Sequence, residues 1–350
     1  MRRKSATVRG SAVRLVAIAA AIGLGWGGSV ASAQDKKPIS VYWSAGQIGK
    51  NLKDAFAETY PDKAFLKIVE GGDNPRFTQM QANRSSPNFD LGTFIDVLLP
   101  LVIKSGLITK LDANNIPNLR EVDPALRGWD DFAVPYTYGT WGIVYNAEKV
   151  KKPITSWADL LRDDLKGYVT SPNITFNSSI YTLDGLARLG GGSLKNPEAG
   201  LEAMRKVRLS GPGLWDQESI AIGWLKTGEA VASAFYSGSA LRLMQEKDTA
   251  HLRFVVPSEG GYLVPSNLVR IANSPNPSGG DAFLNYILSR EAQARWPGLG
   301  RTRPANRYVD VPADVAAAVP VAEKLLRIDA NYFVANRSAI VQKWNDVVNR

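Results

Sequence analysis

The sequence contains no cysteine and only one histidine, His251, among its 350 residues. The missing thiols exclude disulfides, thiolate metal ligands and cysteine nucleophiles. A single imidazole cannot build a histidine-rich zinc site, and His251 opens an alternating segment that is typical of a strand. We therefore expect no metal, no cofactor and no catalytic residue, and a chain stabilised by a large hydrophobic core.

Enzyme signatures are also missing. The chain has no Gly-x-Ser-x-Gly elbow, no His-Glu-x-x-His helix and no Gly-x-x-x-x-Gly-Lys phosphate loop. The acidic pairs Asp130-Asp131 and Asp163-Asp164 are adjacent in the chain, so their side chains diverge. We predict that the protein is not an enzyme, and a secreted hydrolase is the alternative from that class.

The first 33 residues contain no acidic residue. They begin with five basic residues, continue with an apolar run over Leu15 to Gly25, and end in Ala31-Ser32-Ala33. This order predicts a secretory signal peptide over residues 1–33, cleaved after Ala33, and a periplasmic mature protein. The apolar run is too short for a membrane anchor, and no cysteine follows it for lipid attachment.

Most of the excess positive charge belongs to this leader. The full chain has 42 Lys and Arg against 33 Asp and Glu, a net charge of +9. Removing residues 1–33 leaves 37 basic against 33 acidic residues over 317 positions, a net charge of +4. Such a balance gives no reason to expect nucleic acid or a membrane surface as a partner.

The remaining chain alternates predicted strands with predicted helices, and this alternation favours α/β layers with parallel sheets. Predicted strands cover Ile39 to Trp43, Ala64 to Glu70, Phe89 to Thr93, Gly139 to Tyr145, Gly167 to Thr170, Ala230 to Phe235, Leu252 to Val256 and Asn267 to Ala272. Predicted helices cover Gly49 to Tyr60, Val97 to Ser105, Ser179 to Leu189, Glu218 to Lys226, Ser278 to Leu288, Pro312 to Leu326 and Asn331 to Val348. The pattern starts again near residue 139, which predicts two lobes with a cleft between them.

Several segments carry a resemblance to a known family. The segments are Phe89 to Leu91 with Lys104 to Asp112, Val134 to Asn146, Ser156 to Leu160 with Lys166 to Val169, Tyr236 to Ala240, Pro257 to Gly261, and Glu291 to Gln293. In order and spacing they resemble the periplasmic substrate-binding proteins of ABC importers, in the spermidine/putrescine-binding group. This group belongs to the family 1 extracellular solute-binding proteins.

The resemblance implies a two-lobed type II periplasmic binding fold, each lobe a mostly parallel sheet flanked by helices. Lobe 1 would hold residues 35–138 and 262–305, and lobe 2 would hold residues 139–261 with 306–350, including the C-terminal helices. It further implies a monomer that captures a small-molecule solute in the cleft and delivers it to a membrane permease. A module that presents its ligand to a sensor would use the same closed surface, so this alternative stays open.

Candidate ligand-binding residues follow predicted strands or flank the predicted crossing between lobes. Aromatic rings, hydroxyls and amides at such positions suit a small polar solute. The residues are Trp43, Ser44, Thr93, Asp96, Tyr136, Tyr138, Asn173, Phe176, Asn177, Trp215, Tyr236, Ser237 and Tyr262, with Arg76 aimed at a ligand acid. Structural roles compete for some of them: edge packing of the first helix for Trp43, a helix cap for Asp96, hinge packing for the tyrosines and a solvated helix face for Arg76.

The ligand is expected to differ from a long polyamine. The family places an acid in the first-strand loop, where this chain has Ala45 and Gly46, and another acid after the Pro-x-Glu-Gly turn, where residues 262–267 have none. Each buried ammonium needs a carboxylate partner. The sequence therefore predicts an aromatic, hydroxyl-rich pocket with at most two acids, for a neutral, zwitterionic or anionic solute. A polyamine or other amine is the alternative.

Overall fold

Eleven strands join into one sheet in the computed structural model, which describes residues 36–350. The predicted signal peptide over residues 1–33 lies outside the described residues. The strands are β1 (Ile39–Trp43), β2 (Leu66–Glu70), β3 (Leu91–Ile95), β4 (Ile108–Thr109), β5 (Val134–Asn146), β6 (Val169–Pro172), β7 (Leu214–Trp215), β8 (Ala232–Tyr236), β9 (Leu252–Val255), β10 (Tyr262–Ile271) and β11 (Arg303–Pro304).

The sheet is parallel at its two ends and antiparallel in its centre. Its order is β2-β1-β3-β10-β5-β8-β6-β7, with β4 beside β10 and both β9 and β11 beside β5. Strands β1, β2 and β3 are mutually parallel, as are β6, β7 and β8, because helices connect them. Thus the expected parallel strands are present, but each set ends at a long antiparallel strand.

The two central strands, β5 and β10, connect these parallel ends. They pair antiparallel from Tyr262 opposite Trp141 to Leu268 opposite Val134, with a register shift between Ser266 and Asn267. All thirteen residues of β5 are buried. Such continuous burial is typical of a strand covered on both faces, so alternation of polar and apolar residues is absent here.

Helices cover the sheet. They are α1 (Gly46–Leu52), α2 (Asp73–Ala82), α3 (Leu99–Lys104), α4 (Ser179–Leu189), α5 (Glu198–Leu209), α6 (Glu218–Thr227), α7 (Ser237–Leu243), α8 (Pro277–Ile287), α9 (Arg290–Gln293), α10 (Trp296–Gly300), α11 (Ala313–Ala318) and α12 (Ala330–Val347). The longest described helix, α12, is close to its predicted range. No helix among residues 36–350 combines the length and the apolar character that a membrane crossing requires.

The predicted helix over Pro312 to Leu326 is wrong. The structure has α11, which ends at Ala318, and only a short 3-10 turn over Ala322–Lys324. Pro320 explains the break, because proline has no backbone N–H to donate and disfavours helical backbone in the residue before it.

Two large hydrophobic clusters fill the interior on either side of the central strands. One contains β1, α1 and α8 side chains, and the other contains α4, α5 and α12 side chains. Residues 306–350 were predicted to belong to lobe 2, yet Val315, Val319 and Leu325 pack in the cluster that contains β1. The lobe boundaries themselves stay a prediction.

Two of the family-like segments contact each other. Ser156 and Asp159 form the predicted capping box at a 3-10 turn over Trp157–Leu161. Glu259 accepts hydrogen bonds from the Ser156 hydroxyl and from the Trp157 amide, and the Trp157 indole donates to the Gly260 carbonyl at 3.0 Å. Glu259 therefore holds two loops together, which is a structural role.

Candidate functional site

A cavity of about 520 Å³ lies where the central strands meet the ends of the parallel strands. Its wall combines residues from both predicted lobes. The lining residues are Ser44, Ala45, Gly46, Gln47, Ile48, Asp73, Thr93, Phe94, Ile95, Trp141, Phe176, Ser178, Trp215, Glu218, Ser219, Ile222, Phe235, Tyr236, Ser239, Arg242, Val264 and Ser266. This position, beyond the carboxyl ends of strands β1, β3 and β8, is where open α/β sheets bind ligands.

The first part of the wall is the turn from β1 into α1. Ser44 follows the strand, and Gly46 begins the helix with a φ of +72°. That left-handed backbone favours glycine, which has no Cβ to clash. The turn exposes Gln47 and leaves Ser44 half-buried at the cavity, so a hydroxyl and an amide face the space.

The second part of the wall is Asp73, in the first turn of α2. Arg76 is fully buried one turn later and donates to Asp73 Oδ1 at 2.7 Å, to the Gly71 carbonyl at 2.7 Å and to the Thr93 carbonyl. Its guanidinium also stacks on the Tyr42 ring. Burial raises the pKa of Asp73, and the Arg76 charge opposes that rise. Arg76 thus lies behind the lining and holds Asp73 in place.

Aromatic rings form the third part of the wall. Phe176 packs edge-on against Trp215 at a centroid distance of 4.8 Å, and Trp215 lies 6.5 Å from Trp141 and 6.1 Å from Phe235. The Trp141 indole N–H donates to Thr182 at 2.9 Å, and the Trp215 indole N–H to Ser233 at 3.3 Å. With their N–H groups bonded inside the protein, the rings offer apolar surface to a ligand.

The fourth part is a polar corner, which we define as Glu218, Tyr236, Ser239 and Arg242. Arg242 donates to the Ser239 hydroxyl at 2.7 Å and to the Gly300 carbonyl at 3.3 Å. Glu218 Oε1 and the Tyr236 hydroxyl are buried and have no hydrogen-bond partner among the described residues. Burial raises the pKa of Glu218 and of the Tyr236 hydroxyl, and it lowers the pKa of Arg242.

The structure brings five of the predicted site residues together at this cavity: Ser44, Thr93, Phe176, Trp215 and Tyr236. Their roles as ligand contacts stay predictions. Ser44 and Phe176 follow strands, Trp215 and Tyr236 end β7 and β8, and Thr93 lies within β3.

Three predicted aromatic residues lie in the core instead. Trp43 is 1% exposed and packs in the cluster that contains α1. Tyr136 packs edge-on against Trp296 at 6.0 Å. Tyr138 is buried in β5, and this burial raises the pKa of its hydroxyl to about 12.

Three other predicted residues make buried polar contacts away from the lining. Asp96 accepts a hydrogen bond from the Tyr181 hydroxyl at 2.6 Å, and Tyr262 donates to Asp184 at 2.7 Å. The Ser237 hydroxyl accepts from the Thr140 amide at 3.0 Å. These contacts join distant parts of the chain.

The two predicted asparagines also lie outside the lining. Asn173 Oδ1 accepts from the Ile174 amide at 2.7 Å, and Asn177 Oδ1 accepts from Arg337 at 3.4 Å. Both amides are therefore engaged by the protein in this structure.

Sequence reasoning missed the charged residues of the wall, Asp73, Glu218 and Arg242. All three lie on helices, Asp73 and Glu218 in first turns and Arg242 in the last turn of α7, and they are up to 169 positions apart in the chain. The spacing of three between Ser239 and Arg242, which places both on one side of a helix, was the available signal. Within residues 36–350, no group of three or more His, Asp or Glu side chains is arranged to hold a metal ion.

The family assignment comes from the sequence profile described as "Bacterial extracellular solute-binding protein", which matches residues 86–336. Because the match spans more than half of the chain, the protein belongs to this family. It is a solute-binding protein of the kind that serves ABC importers.

Individual relatives agree with this assignment. A putrescine/agmatine-binding protein of Pseudomonas aeruginosa is 25% identical over 304 residues, 79% of this chain and 80% of that protein. The thiamine-binding periplasmic protein of Escherichia coli is 26% identical over 318 residues, 88% of this chain and 90% of that protein. The spermidine/putrescine-binding protein PotD of Streptococcus pneumoniae superposes with a TM-score of 0.71 at 17% identity, covering 89% of this chain and 99% of PotD. The fold is therefore that of type II periplasmic binding proteins.

Proposed function

We propose that the protein captures a small organic solute in the 520 Å³ cavity and delivers it to the permease of an ABC importer. The observation that carries this proposal is the cavity wall, in which rings, hydroxyls and two opposite charges converge from distant parts of the chain. Such a mainly apolar cleft with a few placed polar groups is the usual form of a small-molecule site. Family membership supports delivery to a transporter.

We also propose that the protein works as a periplasmic monomer. Its signal peptide would be cleaved after Ala33, consistent with the periplasmic names of relatives such as the thiamine-binding protein. The two predicted lobes would close over the bound solute, a population shift limited by how much better the closed state binds. The protein would release the solute chemically unaltered.

The ligand that we propose is not a long polyamine. Only two acids, Asp73 and Glu218, line the cavity, and Arg76 already pairs with Asp73. A ligand with several ammonium groups would leave at least one of them without a carboxylate partner, which is unfavourable in a partly buried site. A diamine is the competing ligand, because one relative is named a putrescine/agmatine-binding protein.

The test is a thermal-shift screen of the purified mature protein against amino acids, organic acids, putrescine, agmatine, spermidine and thiamine. A solute that binds the folded protein raises its unfolding temperature, and the rise grows with the ratio of the ligand concentration to Kd. We expect at least one clear shift, and mass spectrometry should recover that solute unaltered. No shift from any compound at millimolar concentration would contradict the proposal, and recovery of a reaction product would point to the hydrolase alternative.

The matched variant is Phe176→Ala, which removes a half-buried ring from the wall. We expect it to weaken binding about tenfold, since a well-packed aromatic contact contributes about 1–2 kcal/mol. Phe132→Ala removes a half-buried ring outside this cavity and should leave binding unchanged. Equal losses in both variants, measured by calorimetry, would show that the cavity is not the binding site.

A further inference from the structure

The polar corner contains one carboxylate and one guanidinium that are close but not paired. Glu218 and Arg242 each influence the other's pKa through their charges. They nevertheless form no ion pair within 4.0 Å anywhere in the part of the chain that the structure describes. Arg242 instead binds the Ser239 hydroxyl and the Gly300 carbonyl, which are both neutral. The Glu218 carboxylate and the Arg242 guanidinium thus both line the cavity without pairing with each other.

The corner also contains unsatisfied polar atoms. Glu218 Oε1 and the Tyr236 hydroxyl are both buried, and neither has a hydrogen-bond partner among residues 36–350. Leaving a buried acceptor without a donor is unfavourable, and more so when the acceptor is charged. A guanidinium has five donors, of which Arg242 has two engaged. The Ser239 hydroxyl is close enough to the Glu218 carboxylate to oppose the rise of its pKa, but in the described part of the chain Oε1 itself has no donor, and three donors of Arg242 have no acceptor.

The other charged group on the wall is already satisfied. Asp73 receives a hydrogen bond from fully buried Arg76 at 2.7 Å, so this pair adds no net charge to the cavity. The charges of Asp73, Arg76, Glu218 and Arg242 sum to zero. A ligand with net charge would disturb this balance in a partly desolvated space, whereas a zwitterion would preserve it.

We infer that the cavity takes a zwitterion whose ammonium and carboxylate are close together, as in the head group of an α-amino acid. Glu218 accepts from the ammonium, Arg242 donates to the carboxylate, and the Tyr236 hydroxyl completes the head-group contacts. Both charged residues adjoin Ser239, so they match adjacent rather than distant ligand charges. The ring wall of Trp141, Trp215 and Phe176 covers an apolar side chain. This inference rests on the proposed function.

The experiment compares matched ligands on the wild-type protein by calorimetry. One triad is L-leucine, isoamylamine and 4-methylpentanoate, and the other is L-phenylalanine, phenethylamine and 3-phenylpropanoate. The second and third members of each triad lack the carboxylate and the ammonium. We expect one of the amino acids to bind at least about tenfold more tightly than both of its counterparts, because charged hydrogen bonds are lost in each.

Glu218→Gln separates a binding role from a structural one. The amide retains the shape but loses the charge, so binding of the amino acid should fall about tenfold while binding of the matching carboxylic acid does not fall. A purely structural role would weaken both ligands equally. Glu202→Gln, on the exposed face of α5 and paired with Arg205 in the same helix, is the matched control. It should change neither affinity.

The two proposals fail differently. If phenethylamine, isoamylamine or putrescine binds as tightly as both amino acids, the zwitterion inference is overturned and solute binding stands. The same holds if thiamine binds and neither amino acid does. If no tested compound binds the wild-type protein, the proposed function fails as well.

Discussion

Asp96 is a buried acid that links two distant parts of the chain. It lies directly after β3 and accepts a hydrogen bond from the Tyr181 hydroxyl on α4 at 2.6 Å. Burial raises the pKa of Asp96 from 3.8 to about 7, although the Tyr181 hydrogen bond and the charge of Arg327 oppose the rise. The folded protein therefore binds this proton more tightly than the unfolded chain does.

This difference predicts a pH-dependent stability. The contribution of Asp96 is most favourable below its unfolded pKa near 4, and it is lost as the pH rises to about 7. Asp96→Asn is uncharged at every pH and still offers an oxygen to Tyr181. We expect the free energy of unfolding of the variant, relative to wild type, to increase between pH 4 and pH 7 by up to about 4 kcal/mol.

Urea unfolding at several pH values measures this change. Asp248→Asn, an exposed acid in a surface turn, is the control and should show no comparable trend. A constant difference between Asp96→Asn and wild type across this range would show that the acid is not protonated in the folded state.

The sequence placed Ser44 at the cavity because it directly follows β1, and Thr93 lies at the cavity from within β3; their contact with a ligand stays a prediction. Prediction from the sequence was least able to separate lining residues from core residues along β5 and β10. Tyr136, Tyr138 and Trp141 all lie in β5, whose burial is continuous, so no alternation indicates which ring faces the cavity. Asp73, Glu218 and Arg242 meet only through the tertiary fold, which local patterns do not encode.

At the scale of elements, helices α4 and α5 approach closely at a glycine. Gly200 lies in the first turn of α5, and a Cβ built there would be 2.5 Å from the Leu183 carbonyl oxygen of α4. Gly223 lies within α6, where a Cβ would meet nothing within 4 Å. Both glycines lie in helices, but only Gly223 has room for a methyl group.

Alanine at these glycines should therefore change stability in opposite directions. Gly223→Ala is expected to raise the free energy of unfolding by about 0.5–1 kcal/mol, because alanine loses less conformational entropy in a helix. Gly200→Ala should lower it by about 1–3 kcal/mol, because α4 and α5 must move apart. Chemical denaturation of both variants measures the signs, and a stabilised Gly200→Ala would mean that the helices are not in close contact.

Most element positions were predictable because hydrophobic periodicity and capping residues are local. The strand over Ile39–Trp43, the helix over Ser179–Leu189 and the capping box at Ser156 agree with prediction. The helix prediction over Pro312 to Leu326 failed because Pro320 breaks the helix that the apolar spacing favours. Short strands such as β7 and β11 have two residues each and leave no periodic signal.

At the scale of the whole molecule, the cavity is lined by residues of both predicted lobes. If the predicted lobes close on a solute, the radius of gyration in solution should become smaller when the best ligand of the thermal screen is added at saturation. Small-angle scattering measures this change. The control is the Phe176→Ala variant at a ligand concentration that leaves most of its sites empty, and it should scatter like the ligand-free protein. An unchanged scattering profile of the wild-type protein at saturation would contradict closure.

The sheet order has a consequence for synthesis. Strand β3 pairs on its inner side with β10, which begins at Tyr262. The first three strands therefore lack their neighbour until about three quarters of the chain has been synthesised, and the pairing of Thr93 with Leu268 cannot form earlier. If the proposed signal peptide directs export, this delay would keep the amino-terminal part of the chain extended, which is the state that a secretion channel passes.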